Sequence, residues 1–301
     1  MLELRNPRIA IPVVLFAGLL WSFGPLVVRY MDNPQLVPWQ YIFGRGLTIF
    51  ILLNLYLFFE EGKNFYKNYY KIGLSGVIGG SGLGVAMITF IYSITNTSAA
   101  VTLLCLAAMP FFTALLAFLF LKEKISLNVW ISIIIATVGI IIMAFDNTGE
   151  KSLIGFVFGL TSSIGFSVFS VTLRWRKETP KFTTVAFAGL FCFIIATIMI
   201  LITQQQFFST SYNSSMFSLH GVIVCLGLIL YSIGSKAIPA AELTLLSLTE
   251  VVGGIFWVWL PLFGINEVPS TNTIIGGFFL FVSIFYYSLI MRWNKRYIAL
   301  N

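Results

Sequence analysis

Residues 183–203 read TTVAFAGLFCFIIATIMILIT, a stretch without one charged side chain. Apolar and polar residues do not alternate in it, so it is neither a half-buried strand nor a strand of a membrane barrel. A hydrocarbon core of about 30 Å takes about 20 apolar residues in a helix, and the stretch has that length. A helix also satisfies its own backbone, as lipid requires. The stretch decides the fold because it recurs. Comparable runs lie at 9–30, 38–59, 72–94, 99–121, 127–145, 152–173, 218–235, 240–263 and 272–291. The gaps hold charges and breakers: Asp32-Asn33-Pro34, Glu60-Glu61-Gly62-Lys63, Lys122-Glu123-Lys124, Asp146-Asn147-Thr148-Gly149 and Lys177-Glu178-Thr179-Pro180. The predicted class is an all-α integral membrane protein with ten transmembrane helices.

Composition supports this reading. Of 301 residues, 58% are hydrophobic and only 10% charged, against roughly 25% charged in a soluble domain. The formal charge of +7 is spread over short gaps and forms no continuous basic patch, so no nucleic-acid partner is expected. Cys105, Cys192 and Cys225 lie inside apolar runs without metal-ligand spacing, and His220 is the one histidine. No metal or other cofactor is therefore expected. Ile9 to Val28, after Arg5 and Arg8, is read as a retained first helix and not as a signal peptide.

Charge sets the expected orientation. With the N-terminus inside, the inner segments hold 15 of the 18 Lys and Arg residues, the bias of cytoplasmic loops. Arg29 and Lys151 fall outside, and Arg45 lies within the second span. Ten spans return the C-terminus, with Arg292-Trp293-Asn294-Lys295-Arg296, to the inside. The expected location is a bacterial inner (plasma) membrane, multi-pass, with both termini cytoplasmic.

The chain also repeats. At a shift of 141 residues Gly18 and Gly24 fall on Gly159 and Gly165, and Ala99-Ala100 on Ala240-Ala241. At a shift of 144, Glu123 and Ser126 fall on Glu267 and Ser270. About three residues are thus added in the second half, near Trp259-Leu260-Pro261-Leu262. The predicted halves are 1–147, with spans one to five, and 148–301, with spans six to ten. Five spans is an odd number, so the second half enters the membrane from the other side. Inverted repeats of this kind alternate access to a central site in secondary transporters.

At the residue level the chain resembles the drug/metabolite transporter superfamily, specifically its EamA type with a 5+5 arrangement. The resemblance rests on Leu20-Trp21-Ser22-Phe23, Arg45, Pro110 and Leu121-Lys122-Glu123-Lys124-Ile125-Ser126 in the first half. In the second it rests on Thr249-Glu250-Val251-Val252, Trp257-Val258-Trp259 and Glu267-Val268-Pro269-Ser270. Where the family often has Glu-Pro-Val, this chain has Glu250-Val251-Val252. The usual Gly-Glu pair is Lys122-Glu123 in one half and Asn266-Glu267 in the other. The resemblance implies secondary transport of a small metabolite such as an amino acid or a related compound, more often outward. It also implies a cavity walled by spans one, three, four, six, eight and nine.

Glu250 is the sharpest site candidate, since an ionised acid near the midplane costs roughly 2.5–3.5 kcal/mol on insertion scales. It faces a cavity or a partner, or it holds a proton. Its functional readings are proton coupling and pairing with a substrate ammonium; the alternative is a structural carboxyl. Arg45 could clamp a carboxylate or tie helices together. Trp21, Tyr92, Tyr231, Trp257 and Trp259 are candidate aromatic walls, and Ser162, Ser163 and Ser167 candidate polar lining. Gly24, Pro25 and Pro110 are candidate hinges that free carbonyls in mid-span. Gly76-x-x-x-Gly80-x-x-x-Gly84 reads as a packing face. His220 is expected near the outer end of the eighth span, at the interface.

The function expected is a secondary active transporter working by alternating access, with a small molecule as substrate, protons as the candidate coupling ion and the lipid bilayer as surroundings. Uptake or exchange is the alternative to export, and the oligomeric state is a monomer or homodimer. No GxxxxGK[ST] loop is present, so ATP is not the expected energy source. An intramembrane enzyme would need convergent nucleophiles, bases or metal ligands that one His and one mid-span acid do not supply. A channel would want rings of charge or filter carbonyls.

Overall fold

The computed structural model describes residues 7–122, 127–144, 150–176, 178–238 and 240–300. Glu123 to Ser126 and Asp146 to Gly149, which carry one family motif and the expected boundary between the halves, lie outside the described residues, as do the side chains of Arg292 to Arg296. Every regular element described is helical. Seven helical units are long and apolar enough to cross a membrane, and three shorter apolar helices complete ten.

The spans follow the runs of the sequence closely. The first is Pro7–Trp21 with Gly24–Tyr30, the second Pro38–Glu61, the third Gly73–Asn96 and the fourth Ala99–Leu106 with Met109–Leu121. The fifth is Leu127–Ala144, the sixth Glu150–Trp175 and the seventh Lys181–Ile202. The eighth is Ser211–Gly234, the ninth Ala240–Leu246 with Thr249–Trp259, and the tenth Thr271–Leu300. The eighth begins seven residues before its predicted start, because Thr210 caps it: its side chain accepts a hydrogen bond from the Asn213 N–H. The ninth ends early at Trp259, where Leu260 is extended and Pro261–Phe263 forms a 3-10 turn.

Three spans are broken, and two breaks have a proline behind them. Pro25 and Pro110 have no N–H to give to the carbonyl four residues back, so the helix stops at Trp21 and Leu106 and restarts at Gly24 and Met109. A carbonyl left unpaired in hydrocarbon costs several kcal/mol, and side chains of the sixth span add donors to carbonyls on either side of the fourth-span break. Ser163 of the sixth span donates to the Cys105 carbonyl, and Ser167 to the Met109 carbonyl at 3.1 Å. The ninth span breaks at Ser247-Leu248 without a proline. Ser247 Oγ donates to the Thr244 carbonyl at 2.8 Å, and Thr249 Oγ1 reaches the carbonyls of Leu246 and Leu15 at 3.2 Å. Serine and threonine bonding back to their own helix bends it, which replaces the missing proline.

The packing repeats between the first five spans and the last five. The third span lies along the sixth, as the first lies along the eighth. The third also packs on the seventh, as the eighth packs on the second. The fourth and ninth cross so that the first part of each meets the second part of the other, and the fifth pairs with the tenth. Exchanging the two halves converts each of these contacts into another, except the fifth–tenth pair, which maps onto itself. Gly46 and Gly189 sit where second and seventh spans cross: a Cβ on Gly46 would lie 2.9 Å from the Gly189 carbonyl oxygen, and one on Gly189 3.0 Å from that of Gly46. The expected glycine face of the third span packs against Thr184, Phe187 and Phe191 of the seventh.

One end of the bundle is clasped by an ion pair. Arg29 Nε donates to Glu267 Oε2 at 2.7 Å and Nη2 to Oε1 at 3.3 Å. The same guanidinium donates to the carbonyls of Ile94 and Thr97, and Glu267 Oε1 accepts from the Ala99 N–H at 2.6 Å. The first span is thereby tied to the third–fourth turn and to the ninth–tenth loop.

Candidate functional site

A cavity of about 70 Å³ lies where the broken helices meet. The second parts of the fourth and ninth spans open onto it, through Met109 and Glu250. Helix N-termini carry partial positive charge, so two such ends face one space. Glu250 stands in the first turn of Thr249–Trp259, where that charge favours a carboxylate. It is partly accessible, onto the cavity it lines. Among the described residues its carboxylate makes no hydrogen bond or ion pair.

Arg45 also lines the cavity and is 2% exposed. Its Nη2 donates to the Met87 carbonyl at 2.5 Å, tying the second span to the third, and the guanidinium lies 5.7 Å from the Tyr41 ring centroid. Its Nε has no partner. The expected helix tie is therefore present, and one edge of the guanidinium remains unused. No ion pair joins Arg45 to Glu250. Arg45 adds the second span to the six expected to wall the cavity.

Trp21, the last residue before the first break, lines the cavity with Phe166. Its indole N–H donates to the Val224 carbonyl at 3.2 Å, and its ring meets Phe166 edge-on at 5.8 Å. Tyr231 is fully buried behind these rings, 5.6 Å from Trp21, with its hydroxyl on Ser170 Oγ at 2.8 Å. It backs the wall and does not line it. Ser162 lines the cavity and donates to the Ala86 carbonyl at 2.8 Å. Ser163 and Ser167, expected to line it, hold the carbonyls of the fourth-span break.

Three further expectations need correcting. Tyr92 packs against Trp39 at 5.1 Å and Phe158 at 5.3 Å, away from the cavity. Trp257 stacks on Phe23 at 5.2 Å and donates to Ser22 Oγ at 2.9 Å, so it braces the first break from behind. Trp259 is half exposed on the outside of the bundle. An apolar helix has the same residue types towards lipid and towards the interior, and aromatic identity alone does not choose the face.

His220 is the residue that sequence reasoning misplaced. It is buried and lines the cavity, with Nδ1 bonded to the Tyr41 hydroxyl. Gly24 makes room for it, since a Cβ there would lie 2.7 Å from His220 Nε2. Pro25 fits beside Gly254, so the Gly24-Pro25 break packs closely on both the eighth and the ninth spans. Arg45 and His220 line the cavity that Glu250 also lines, and the buried Tyr41 contacts both.

Comparisons with known proteins agree with this architecture. Residues 8–145 match the EamA-like transporter family. Two Helicobacter pylori proteins, from strains J99 and 26695 and each named an uncharacterized transporter, are 26% and 25% identical over 249 residues, covering 80% of this chain and 80% of theirs. A Clostridium kluyveri protein of the same name is 27% identical over 232 residues, 72% of this chain and 71% of its own. A chain of known crystal structure superposes with a TM-score of 0.67 over 95% of this chain and 99% of that one, at 15% identity. It shares the fold.

Proposed function

We propose, from the match of residues 8–145 to the EamA-like transporter family, that this chain is a secondary active transporter exporting a small zwitterionic metabolite, an amino acid or a close relative. The observation that carries the proposal is one unpaired acid and one incompletely satisfied guanidinium facing the same cavity without touching each other. Glu250 receives the substrate ammonium. The free edge of Arg45, beside His220, receives the carboxylate. Trp21 and Phe166 contact the apolar part.

A volume of about 70 Å³ holds a few waters and is well below the roughly 300–1,000 Å³ of small-molecule sites. The cavity must widen before a solute enters. The halves 1–147 and 148–301 rock about the Gly46–Gly189 crossing, and the broken first, fourth and ninth spans give way at Ser22-Phe23, Ala107-Ala108 and Ser247-Leu248. Both termini lie in the cytoplasm, the Arg29–Glu267 clasp faces outward, and a proton carried by Glu250 couples transport to the gradient.

Counterflow in proteoliposomes tests this. Vesicles preloaded with unlabelled amino acids, amines, carboxylates or sugars are presented with the labelled compound. Trans-stimulation by amino acids and not by the corresponding amines or acids is expected. Equal stimulation by a singly charged analogue would remove the two-point reading, and currents without saturation would indicate a channel.

A further inference from the structure

A second cavity lies away from the first, where three spans end. The second span stops at Glu61, the seventh starts at Lys181 and the eighth stops at Gly234. The cavity has about 180 Å³, more than twice the central one, and its chemistry is different. Lys181 and Lys236 both line it. Lys181 Nζ donates to Ser235 Oγ at 2.7 Å, which fixes the ammonium at the rim.

The seventh span begins here and runs from Lys181 to Ile202, 22 residues. The first N–H groups of a helix have no acceptor within it. The residue before it is Pro180, which provides no side-chain cap. The Thr184 N–H and hydroxyl both go to the Pro180 carbonyl, and the Phe182 and Thr183 N–H groups, in the first turn beside the cavity, have no acceptor within the helix. Thr183 lines the cavity and is fully buried, and its hydroxyl has no hydrogen-bond partner. A buried hydroxyl without a partner costs about 1–3 kcal/mol, so it marks a place where an acceptor belongs. One acid shares the wall: Glu61, whose Oε2 accepts from Asn68 Nδ2 at 2.5 Å. Among the residues that line the cavity, this one carboxylate stands beside two ammonium groups and a helix N-terminus.

We propose that this cavity binds a phosphate group, held by Lys181, Lys236, the Thr183 hydroxyl and the first N–H groups of the seventh span. An anion at a helix N-terminus is bound by those N–H groups and by the helix dipole together. The position indicates the source. Three span ends mark the depth at which lipid headgroups lie, and Leu57 and Phe182 supply an apolar floor for the glycerol end. The headgroup of an anionic phospholipid joins second, seventh and eighth spans at one point, so its binding favours the state in which this face is closed.

The test uses the full chain purified in detergent, with thermal unfolding as readout. Phosphatidylglycerol in mixed micelles should raise the unfolding midpoint by several degrees over phosphatidylcholine. In the Lys181→Gln/Lys236→Gln variant the half-saturating lipid fraction should rise about 30-fold, the combined effect of two lysines at an anionic surface. Thr183→Val keeps both charges and should weaken the lipid effect about tenfold; it decides the matter if the double variant does not fold. A full rise with inorganic phosphate, with nothing further from the lipid, assigns the site to the free anion. No rise with either probe, or a rise that both variants preserve, overturns the proposal.

Discussion

Glu267→Gln tests whether the Arg29–Glu267 clasp is a gate. The substitution keeps the shape, and the amide oxygen can still accept from the Ala99 N–H, now 2.6 Å from Oε1. The amide nitrogen then stands where Oε2 accepts from Arg29 Nε at 2.7 Å, a donor facing a donor. Arg29 keeps the carbonyls of Ile94 and Thr97, so the residue stays anchored and only the ion pair goes. Hydrogen bonds to charged groups contribute about 1.5–3 kcal/mol. The two side chains are 20% and 21% exposed, which screens the pair, so a total of about 2 kcal/mol is reasonable. If the pair forms only when this face is closed, the closed-to-open ratio falls about 30-fold. The assay is labelling of Phe90→Cys, a cavity-lining position, in a background where Cys105, Cys192 and Cys225 are replaced by Ala. A membrane-impermeant maleimide is added from the Arg29 side. The initial rate should rise at least tenfold in Glu267→Gln. A rate within twofold of the parent, from protein that remains monodisperse, would refute the clasp as a gate and leave it a static tie.

Glu250→Gln should abolish proton-coupled transport while the protein still folds and inserts; wild-type counterflow rates and pH dependence in the variant would make the acid incidental. Arg45→Ala removes the tie from the second span to the Met87 carbonyl and the cation over Tyr41, so expression should fall several-fold before substrate affinity can be read, the effect of a loss of about 1–2 kcal/mol in the cell; a well-expressed variant with only a raised KM would contradict this. Gly24→Ala puts a methyl 2.7 Å from His220 Nε2, and the overpacking should cost about 1–3 kcal/mol; an unchanged unfolding midpoint would show that the ring moves aside freely. Ser163→Ala removes the tie between the sixth span and the Cys105 carbonyl, which keeps the Ala108 N–H, and should destabilise by about 1 kcal/mol, read as a lower unfolding midpoint; no change would mean that this tie adds nothing to stability.

The ten spans were legible because a bilayer imposes two rules, a length and an internally satisfied backbone, and both are written in apolar runs. Boundaries were less legible where capping, not hydropathy, decides them. Ser211 to Ser215 are polar, so the eighth span was expected to start at 218, which put His220 near its end. The observed start at Ser211 places His220 nine residues in, about 13 Å along the helix, and so into the cavity wall. Glu250, Arg45 and Trp21 were legible because a charge in mid-span, or an aromatic at a break, has few places to go. Tyr92 and Trp257 were not, since nothing in an all-apolar helix tells its inner face from its lipid face. The break in the ninth span was hidden as well. It lacks the proline that announces the other two and is made by Ser247 and Thr249 hydroxyls bonding to carbonyls.

The repeat and the site follow opposite rules. The Gly46–Gly189 crossing aligns the halves at an offset of 143 and places Ala188 opposite Arg45; the shift of 141 places Met109 opposite Glu250. Both half-helix ends reach the cavity, yet only one carries an acid, and both crossing helices approach at a glycine, yet only one carries a guanidinium. The charges proposed to meet a solute are thus the residues at which the symmetry fails. This division has a physical reason. Alternation between two access states, as proposed, needs halves that can exchange shapes, and the Gly46–Gly189 crossing and the breaks of the fourth and ninth spans come in pairs, while the first span is broken and its counterpart, the sixth, is not. Recognition of a solute with unlike ends needs a site with unlike ends, and a symmetric pair of acids or of bases across a 70 Å³ space would repel itself while holding only one end of such a solute. A single acid and a single base on opposite walls give the cavity a direction that the fold alone does not have.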